Sequence, residues 1–219
     1  MSLQDYQVDL IEKAMSVGPL KFGDFTLESG RYAVTSFSFN GNKSGPIHRT
    51  SPYFFNSGLL NTGLILSALA RAFVSAIVNA QKSSTNPIPQ FDILFGPAYK
   101  GIPFSAMTVM HLHDSHAISV GLAYDRKEVK DHGEGSKMVG ASVKGRKILI
   151  LDDVMTTGTT VCAAIDLVKR EGGDLIGVVQ CLDREEVGKD SVSNAVKEVE
   201  EIVGVGCARA ILRMRDLMA

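Results

Sequence analysis

The sequence of 219 residues has little of what marks several large classes of protein. Its three cysteines, Cys162, Cys181 and Cys207, show no C-x-x-C spacing, which argues against a disulfide framework or a structural zinc site and favours a reducing compartment. A net charge of -1 indicates neither nucleic acid nor a membrane surface as the main partner. No apolar run approaches the roughly 20 residues that span a bilayer, and the acidic N-terminal segment is unlike a signal peptide. We therefore expect a soluble, cytoplasmic protein.

The sequence does contain an alternation of short apolar strands with amphipathic helices. The alternating segments are predicted strands at 91–95, 118–124, 147–151 and 175–182 and predicted helices at 102–113 and 159–171. This order predicts an α/β fold with a central, mostly parallel sheet flanked by helices, in which ligands bind at the carboxyl ends of the strands. Residues 1–61, with a helix at 3–16 and two short strands, are predicted to form a small N-terminal hood. Residues 62–219 are predicted to form the core.

The most informative segment follows the strand that begins near residue 147. Four aliphatic residues, Ile148 to Leu151, lead into Asp152 and Asp153 and then into a turn rich in threonine that opens a helix. Backbone N–H groups and hydroxyls in such a turn form an anion-binding nest, while the two acids suit sugar hydroxyls. An ordinary turn with threonine caps is the alternative. The turn lacks the G-K-[ST] ending of a Walker A loop and the glycines of a dinucleotide fingerprint.

Two further segments bring positive charge near the predicted strand ends. In Phe95 to Gly101, two glycines and a proline set a fixed turn from which Lys100 can approach an anion. A tight turn with a solvated lysine is the alternative. Residues 125–135 are polar throughout and end in two glycines, which suits either a solvated loop or a lid with cations for a leaving pyrophosphate.

Aromatic and guanidinium side chains complete the candidate site. Phe54 and Phe55 are adjacent on a predicted strand and must point to opposite faces, so at most one of them belongs to the core. Arg184 follows the strand at 175–182. It suits either a charge at the rim of the sheet or a bidentate partner for a carboxylate.

The run from Ile148 to Thr160 resembles the phosphoribosyl-pyrophosphate signature of type I phosphoribosyltransferases. All five segments, in the same order, resemble those of the orotate phosphoribosyltransferase family. The resemblance implies transfer of a 5-phosphoribosyl group from phosphoribosyl pyrophosphate to orotate, which gives orotidine 5′-monophosphate and pyrophosphate in UMP biosynthesis. It also implies Mg²⁺ held by the donor's oxygens rather than by protein ligands. The expected assembly is a homodimer in which the loop of one subunit closes over the active site of its partner.

The resemblance assigns roles residue by residue. Contacts to phosphoribosyl pyrophosphate are expected from Tyr99, Lys100, Arg126, Lys127, Lys130, His132, Asp152, Asp153, Val154, Met155, Thr156, Thr157, Gly158, Thr159 and Thr160. Contacts to orotate are expected from Phe54, Phe55, Thr156 and Arg184. The catalytic roles fall to Lys130, His132 and Asp153, since two of these groups face the leaving pyrophosphate and the third faces the ribose.

The sequence departs from the family's pattern in three places. Glu28 stands where the family has a lysine, and residues 31–49 form an atypical insertion in place of a tight hairpin turn. After Val199 the family supplies a strand and a closing helix. Here Gly204 to Cys207 interrupts the pattern, which predicts a shortened or altered end. The alternative functions are a purine-salvage phosphoribosyltransferase, a regulator that binds phosphoribosyl pyrophosphate, and an enzyme with impaired catalysis.

Overall fold

The computed structural model describes residues 3–27, 49–126, 137–155, 159–185 and 195–218. The helices in these ranges are α1 Asp5–Met15, α2 Gly63–Gln81, α3 Gly101–His116, α4 Thr159–Arg170, α5 Ala195–Val203 and α6 Met214–Leu217. The strands are β1 Leu20–Leu27, β2 Arg49–Phe55, β3 Ile93–Gly96, β4 Gly121–Asp125, β5 Met138–Gly140, β6 Lys147–Met155, β7 Asp174–Asp183 and β8 Ala208–Arg213. A 3₁₀ turn, Ser57–Leu59, lies between β2 and α2.

The central sheet has the strand order β5-β4-β3-β6-β7-β8. Strands β4, β3, β6, β7 and β8 are parallel to their neighbours, and β5 pairs antiparallel with β4 at one edge. The prediction of a mostly parallel sheet flanked by helices is therefore confirmed. Because β6 lies between β3 and β7, its carboxyl end is at the middle of the edge where ligands are expected.

The middle strand is buried on both of its faces. Ile148, Leu149, Ile150 and Leu151 are all 0% exposed, as their aliphatic run predicts. Because side chains alternate along a strand, Leu149 and Leu151 join a core cluster with α2 and α3, whereas Ile148 and Ile150 join a second cluster with α4. The two clusters hold β6 rigidly, which fixes the residues at its carboxyl end.

Helix α2 is formed by a segment in which Leu, Ile, Ala and Val recur at helical spacing. The side chain of Thr62 caps its first turn by accepting a hydrogen bond from the Ile65 N–H at 3.4 Å. By length and composition α2 could cross a membrane, so the expectation that no apolar run reaches that length is wrong for this helix. More than half of its apolar stretch is buried within the protein, against α1, α3 and the sheet, as in a core helix.

In the N-terminal part, α1 packs against α2, while β1, β2 and the 3₁₀ turn form a separate element that we call the hood. The Gln7 side chain donates a hydrogen bond to the Ile211 carbonyl at 2.6 Å, which ties α1 to β8. Strands β1 and β2 pair antiparallel, with Leu27 opposite Arg49. Arg49, the last residue of the predicted insertion, is thus the first residue of β2. Glu28 and the rest of the insertion lie outside the described residues.

The C-terminal part continues beyond Gly204 to Cys207 with a strand and a short helix of four residues. After α5, Gly204 and Gly206 adopt positive φ angles of 104° and 79° and form a turn, and β8 then pairs in parallel with β7. The short helix α6 follows, and its Leu217 packs against the core cluster on the α2 side. The glycines that looked like an interruption allow the chain to reverse between a helix and a strand.

Candidate active site

Four of the predicted site residues lie at the carboxyl ends of β3, β6 and β7. Lys100 follows β3, Asp152 and Asp153 lie near the end of β6, and Arg184 follows β7. The 3₁₀ turn of the hood meets this edge, because Ser57 contacts both Lys100 and Asp153. The site therefore lies between the sheet and the hood, as expected for a parallel α/β fold.

The turn from β3 to α3 needs glycine at two positions. A Cβ on Gly96 would lie 2.3 Å from the Gly101 carbonyl oxygen, and one on Gly101 would lie 2.8 Å from Pro97 Cδ. The Ala98 N–H donates to Asp125 Oδ1 at 2.6 Å, so β4 helps to hold the turn. This tight packing presents Tyr99 and Lys100 at the surface, where the Tyr99 side chain is 66% exposed.

Asp153 and Lys100 form an ion pair at this edge. Lys100 Nζ lies 3.0 Å from Asp153 Oδ2, and Ser57 Oγ donates to the same carboxylate oxygen at 2.6 Å. Lys100 Nζ also donates to Ser57 Oγ at 2.8 Å. We call this closed set of three contacts the triangle. The triangle brings a cation and an anion to the position where the resemblance implies that phosphoribosyl pyrophosphate binds.

Asp152 has a different environment from Asp153, although the two are adjacent. It is 7% exposed, and its Oδ1 accepts a hydrogen bond from the Asp153 N–H at 2.8 Å. Burial, followed by the negative charge of Asp153, raises the pKa of Asp152 from 3.8 to about 7. Asp152 is therefore protonated in a large fraction of molecules near neutral pH and can then act as a hydrogen-bond donor.

The strand that carries the two acids is longer than predicted. β6 runs to Met155 rather than to residue 151, so Asp152, Asp153, Val154 and Met155 are all strand residues. Residues Thr156, Thr157 and Gly158 lie outside the described residues. Thr159 and Thr160 are the first two residues of α4, so the predicted phosphate-binding segment ends on a helix N-terminus. Backbone N–H groups at such a terminus favour an anion.

The predicted lid begins and ends on a pair of antiparallel strands. The Arg126 N–H donates to the Lys137 carbonyl at 2.8 Å, which continues the pairing of β4 with β5 at the edge of the sheet. Lys127, Lys130 and His132 lie outside the described residues. Strand β5 was not predicted, because three residues in a polar stretch give no periodic signal.

The hood separates its two adjacent phenylalanines as predicted. Phe55 is 8% exposed and belongs to the core, whereas Phe54 is 38% exposed. Their different burial follows from the alternation of side chains along β2. Phe54 is thus the side chain of the pair that a ligand can contact, whereas Phe55 is part of the core.

Arg184 is not a charge at the rim of the sheet, since it is only 4% exposed. Its guanidinium carbon lies 4.7 Å from the centre of the Tyr53 ring, and the Tyr53 hydroxyl donates to the Arg184 carbonyl at 2.9 Å. Glu185, the next residue, is paired with Arg215 of α6, and that hydrogen bond lowers the pKa of Glu185. The guanidinium of Arg184 is thus held by Tyr53 of the hood, and the next residue is tied to the C-terminal helix.

Three residues that contribute to this geometry were not singled out from the sequence. Ser57 and Asp125 bind groups on distant segments, and Tyr53 stacks on Arg184. Tyr53 lay within the aromatic segment of the hood, so its position was a usable signal. Asp125 likewise lay at the start of the polar segment 125–135, whereas Ser57 gave no signal because its partners are distant in sequence.

The comparisons with known proteins agree with this geometry. A family model described as phosphoribosyl transferase domain matches residues 61–209, so the chain is a phosphoribosyltransferase by class. The orotate phosphoribosyltransferase of Halorhodospira halophila is 45% identical over 202 residues, covering 92% of this chain and 82% of the relative. That of Acinetobacter baylyi is 43% identical over 208 residues, covering 95% and 83%.

A solved structure extends the comparison to the fold. The crystal structure of the Francisella tularensis orotate phosphoribosyltransferase has a TM-score of 0.70 and 36% identity, covering 94% of this chain and 86% of that one. The α/β architecture is thus that of the type I phosphoribosyltransferases. Within that class, the chain belongs to the orotate phosphoribosyltransferase family.

Proposed function

We propose that this chain transfers the 5-phosphoribosyl group of phosphoribosyl pyrophosphate to orotate, which yields orotidine 5′-monophosphate and pyrophosphate in pyrimidine biosynthesis. One observation carries the proposal. A lysine, two carboxyl groups and a buried arginine converge at one edge of the sheet, in a chain of this family. The set matches a reaction between an anionic sugar donor and an acceptor that has a carboxylate.

On the donor side, we assign the ribose hydroxyls to Asp152 and Asp153, and the 5′-phosphate to residues 154–160. A carboxylate near the ribose stabilises the positive charge that develops on the sugar as the pyrophosphate departs. The exposed Tyr99 and Lys100 contact the pyrophosphate, since the β3–α3 turn presents both at the surface. No side chain is required as a covalent nucleophile.

On the acceptor side, Arg184 binds the carboxylate of orotate, and Phe54 lines the space for its ring together with Thr156. Phe55, which was also expected to contact orotate, is buried in the core instead. The guanidinium is suited to this role because it presents paired N–H donors that match a carboxylate. Its stacking on Tyr53 limits its rotation before a substrate arrives. A base that lacks a carboxylate could not make this bidentate contact.

We further propose that Mg²⁺ accompanies the donor. Among the described residues, no group of three or more histidine, cysteine or acidic side chains could hold a metal ion. The ion would be held mainly by oxygens of the donor, while Asp152 and Asp153 hold the ribose of that donor. When bound to the donor, the ion neutralises charge on the departing pyrophosphate.

The remaining assignments follow the family resemblance. We propose that Arg126, Lys127, Lys130 and His132 belong to a lid that contacts the pyrophosphate and excludes water from the reacting sugar. We propose a homodimer in which each lid serves the site of its partner, in a cytoplasmic protein that binds neither nucleic acid nor membranes. Analytical ultracentrifugation of the purified chain tests the dimer.

Loss of orotate absorbance in the presence of phosphoribosyl pyrophosphate, with and without Mg²⁺, tests the reaction. We expect turnover with orotate and a rate lower by at least about 10² for uracil, which lacks the carboxylate, since a site built to bind a polar group strongly rejects an analogue that lacks it. Hypoxanthine, guanine and adenine are run in parallel. No consumption of orotate, or comparable rates with a purine base, would contradict the proposal.

Matched lysine variants tie the activity to the site. Lys100→Ala should reduce kcat/KM for phosphoribosyl pyrophosphate by at least about tenfold, the scale of one lost hydrogen bond to a charged group. Lys144 is also exposed, but it precedes the amino end of β6, whereas the candidate site is at the carboxyl ends of the strands. Lys144→Ala should therefore retain the parent rate. Equal losses in the two variants would contradict a specific role of the candidate site in the activity.

A further inference from the structure

The triangle has a member to which the proposed reaction gives no role. Ser57 is 3% exposed, and its hydroxyl both donates to Asp153 and accepts from Lys100. Its position is fixed by the 3₁₀ turn of the hood. The Asn56 side chain accepts the Gly58 N–H at 3.1 Å, and the Asn56 N–H donates to the Pro19 carbonyl at 2.8 Å. The hydroxyl is thus held by backbone contacts that do not involve the donor site.

Lys100 needs such an anchor more than Asp153 does. The lysine side chain is 52% exposed and reaches the site from the β3–α3 turn, whereas the Asp153 side chain is 15% exposed and extends from the buried β6. A long lysine side chain loses considerable rotational freedom when its ammonium is fixed. Two contacts from Ser57 and Asp153 therefore keep the ammonium near one place before the donor binds.

The triangle leaves binding capacity on both charged groups. An ammonium has three N–H donors, and the triangle uses two of those on Lys100. Ser57 and Lys100 both contact Oδ2 of the Asp153 carboxylate, so the triangle leaves Oδ1 to face a ribose hydroxyl. The donor can therefore add its own contacts without breaking the triangle.

We propose that Ser57 is a positioning residue for phosphoribosyl pyrophosphate: it aligns the Lys100 ammonium and the Asp153 carboxylate and so links the hood to the donor site. The inference rests on the proposed function, because it assumes that these two groups meet the donor. Ser57 itself acts through Lys100 and Asp153. Its effect is therefore expected in donor affinity rather than in the stability of the fold.

Isothermal titration of the chain with phosphoribosyl pyrophosphate and Mg²⁺, without orotate, tests the role of Ser57 separately from the proposed function. Ser57→Ala should raise the Kd about tenfold, the scale of one hydrogen bond to a charged group, with the KM for the donor rising similarly and the KM for orotate unchanged. Ser57→Cys retains a weak donor and acceptor, so its Kd should lie between that of the parent chain and that of Ser57→Ala. Ser67→Ala is the matched control, because the Ser67 hydroxyl accepts from Arg71 at 2.7 Å on α2, away from the site.

A double-mutant comparison tests whether Ser57 acts through the lysine. In a Lys100→Ala background, Ser57→Ala should raise the Kd by a clearly smaller factor than in the parent chain, because one of its two partners is already absent. Parent-like affinity in both Ser57 variants, or the same factor in both backgrounds, would overturn the inference. If the parent chain itself fails to bind the donor, the proposed function fails instead. Thermal melting confirms that each variant is folded.

Discussion

The protonation of Asp152 predicts that stability falls as pH rises from the acidic range to neutrality. Burial and the charge of Asp153 raise the pKa of Asp152 from 3.8 to about 7. The folded protein therefore retains a proton, between about pH 4 and pH 7, that the unfolded chain has released. The stability that this group contributes is complete below the unfolded pKa and is lost as pH rises through the folded pKa. At about 1.4 kcal/mol per pH unit, the total loss is about 4 kcal/mol.

Asp152→Asn tests this because an amide imitates the protonated acid and cannot ionise. It keeps an oxygen that can accept the Asp153 N–H, so little else should change. The variant's advantage in free energy of unfolding should grow by roughly 2–3 kcal/mol between pH 5 and pH 8. The same variant should bind phosphoribosyl pyrophosphate at least about tenfold more weakly, since it lacks a carboxylate for the ribose.

Urea unfolding at pH 5, 6, 7 and 8, followed by circular dichroism, measures the change. The matched control is Asp174→Asn, because Asp174 is exposed at the first residue of β7. The control should show no advantage that increases with pH. A constant difference between Asp152→Asn and the parent across the range would refute the reasoning, because it would mean that Asp152 does not titrate within it.

Three further predictions concern the lid, the turn and the core. Lys130→Ala should lower kcat by at least about 10²-fold, the scale of one preorganised charge, and unchanged turnover would remove the lid from the mechanism. Gly96→Ala should lower the melting temperature and donor affinity together, because its Cβ would lie 2.3 Å from a carbonyl oxygen, whereas Gly63→Ala, with nothing within 4 Å, should be harmless. Leu149→Ala should lower the free energy of unfolding by about 2–5 kcal/mol in urea titration, since the side chain is fully buried. A loss below 1 kcal/mol would contradict its place in the core.

The middle of the sheet could be predicted because its signal is local. The aliphatic run Ile148 to Leu151 followed by two acids indicates a buried strand that ends in polar groups, and the structure agrees. The end of β6 was misplaced because acids and threonines look like a turn. Pairing with β7, where Met155 lies opposite Asp183, keeps these residues extended. Tertiary pairing thus overrides a local preference.

The contacts of the site could not be read from the sequence. Ser57 and Asp153 are 96 residues apart, and only the fold brings their oxygens to 2.6 Å. The raised pKa of Asp152 likewise depends on burial and on the charge of its neighbour. For Arg184 the sequence left two interpretations open, and its stacking on Tyr53 favours the ligand-binding one.

The position of β6 between β3 and β7 has a consequence for the order of events during synthesis. Ile93 pairs with Ile148, so β3 leaves the ribosome long before the neighbour that covers one of its edges. At roughly 5–20 residues per second, that edge waits about 3–11 seconds for its partner. During this interval an aliphatic strand with unpaired N–H and C=O groups is open to other chains. The strand that carries the two acids is therefore also the strand that covers this exposed edge.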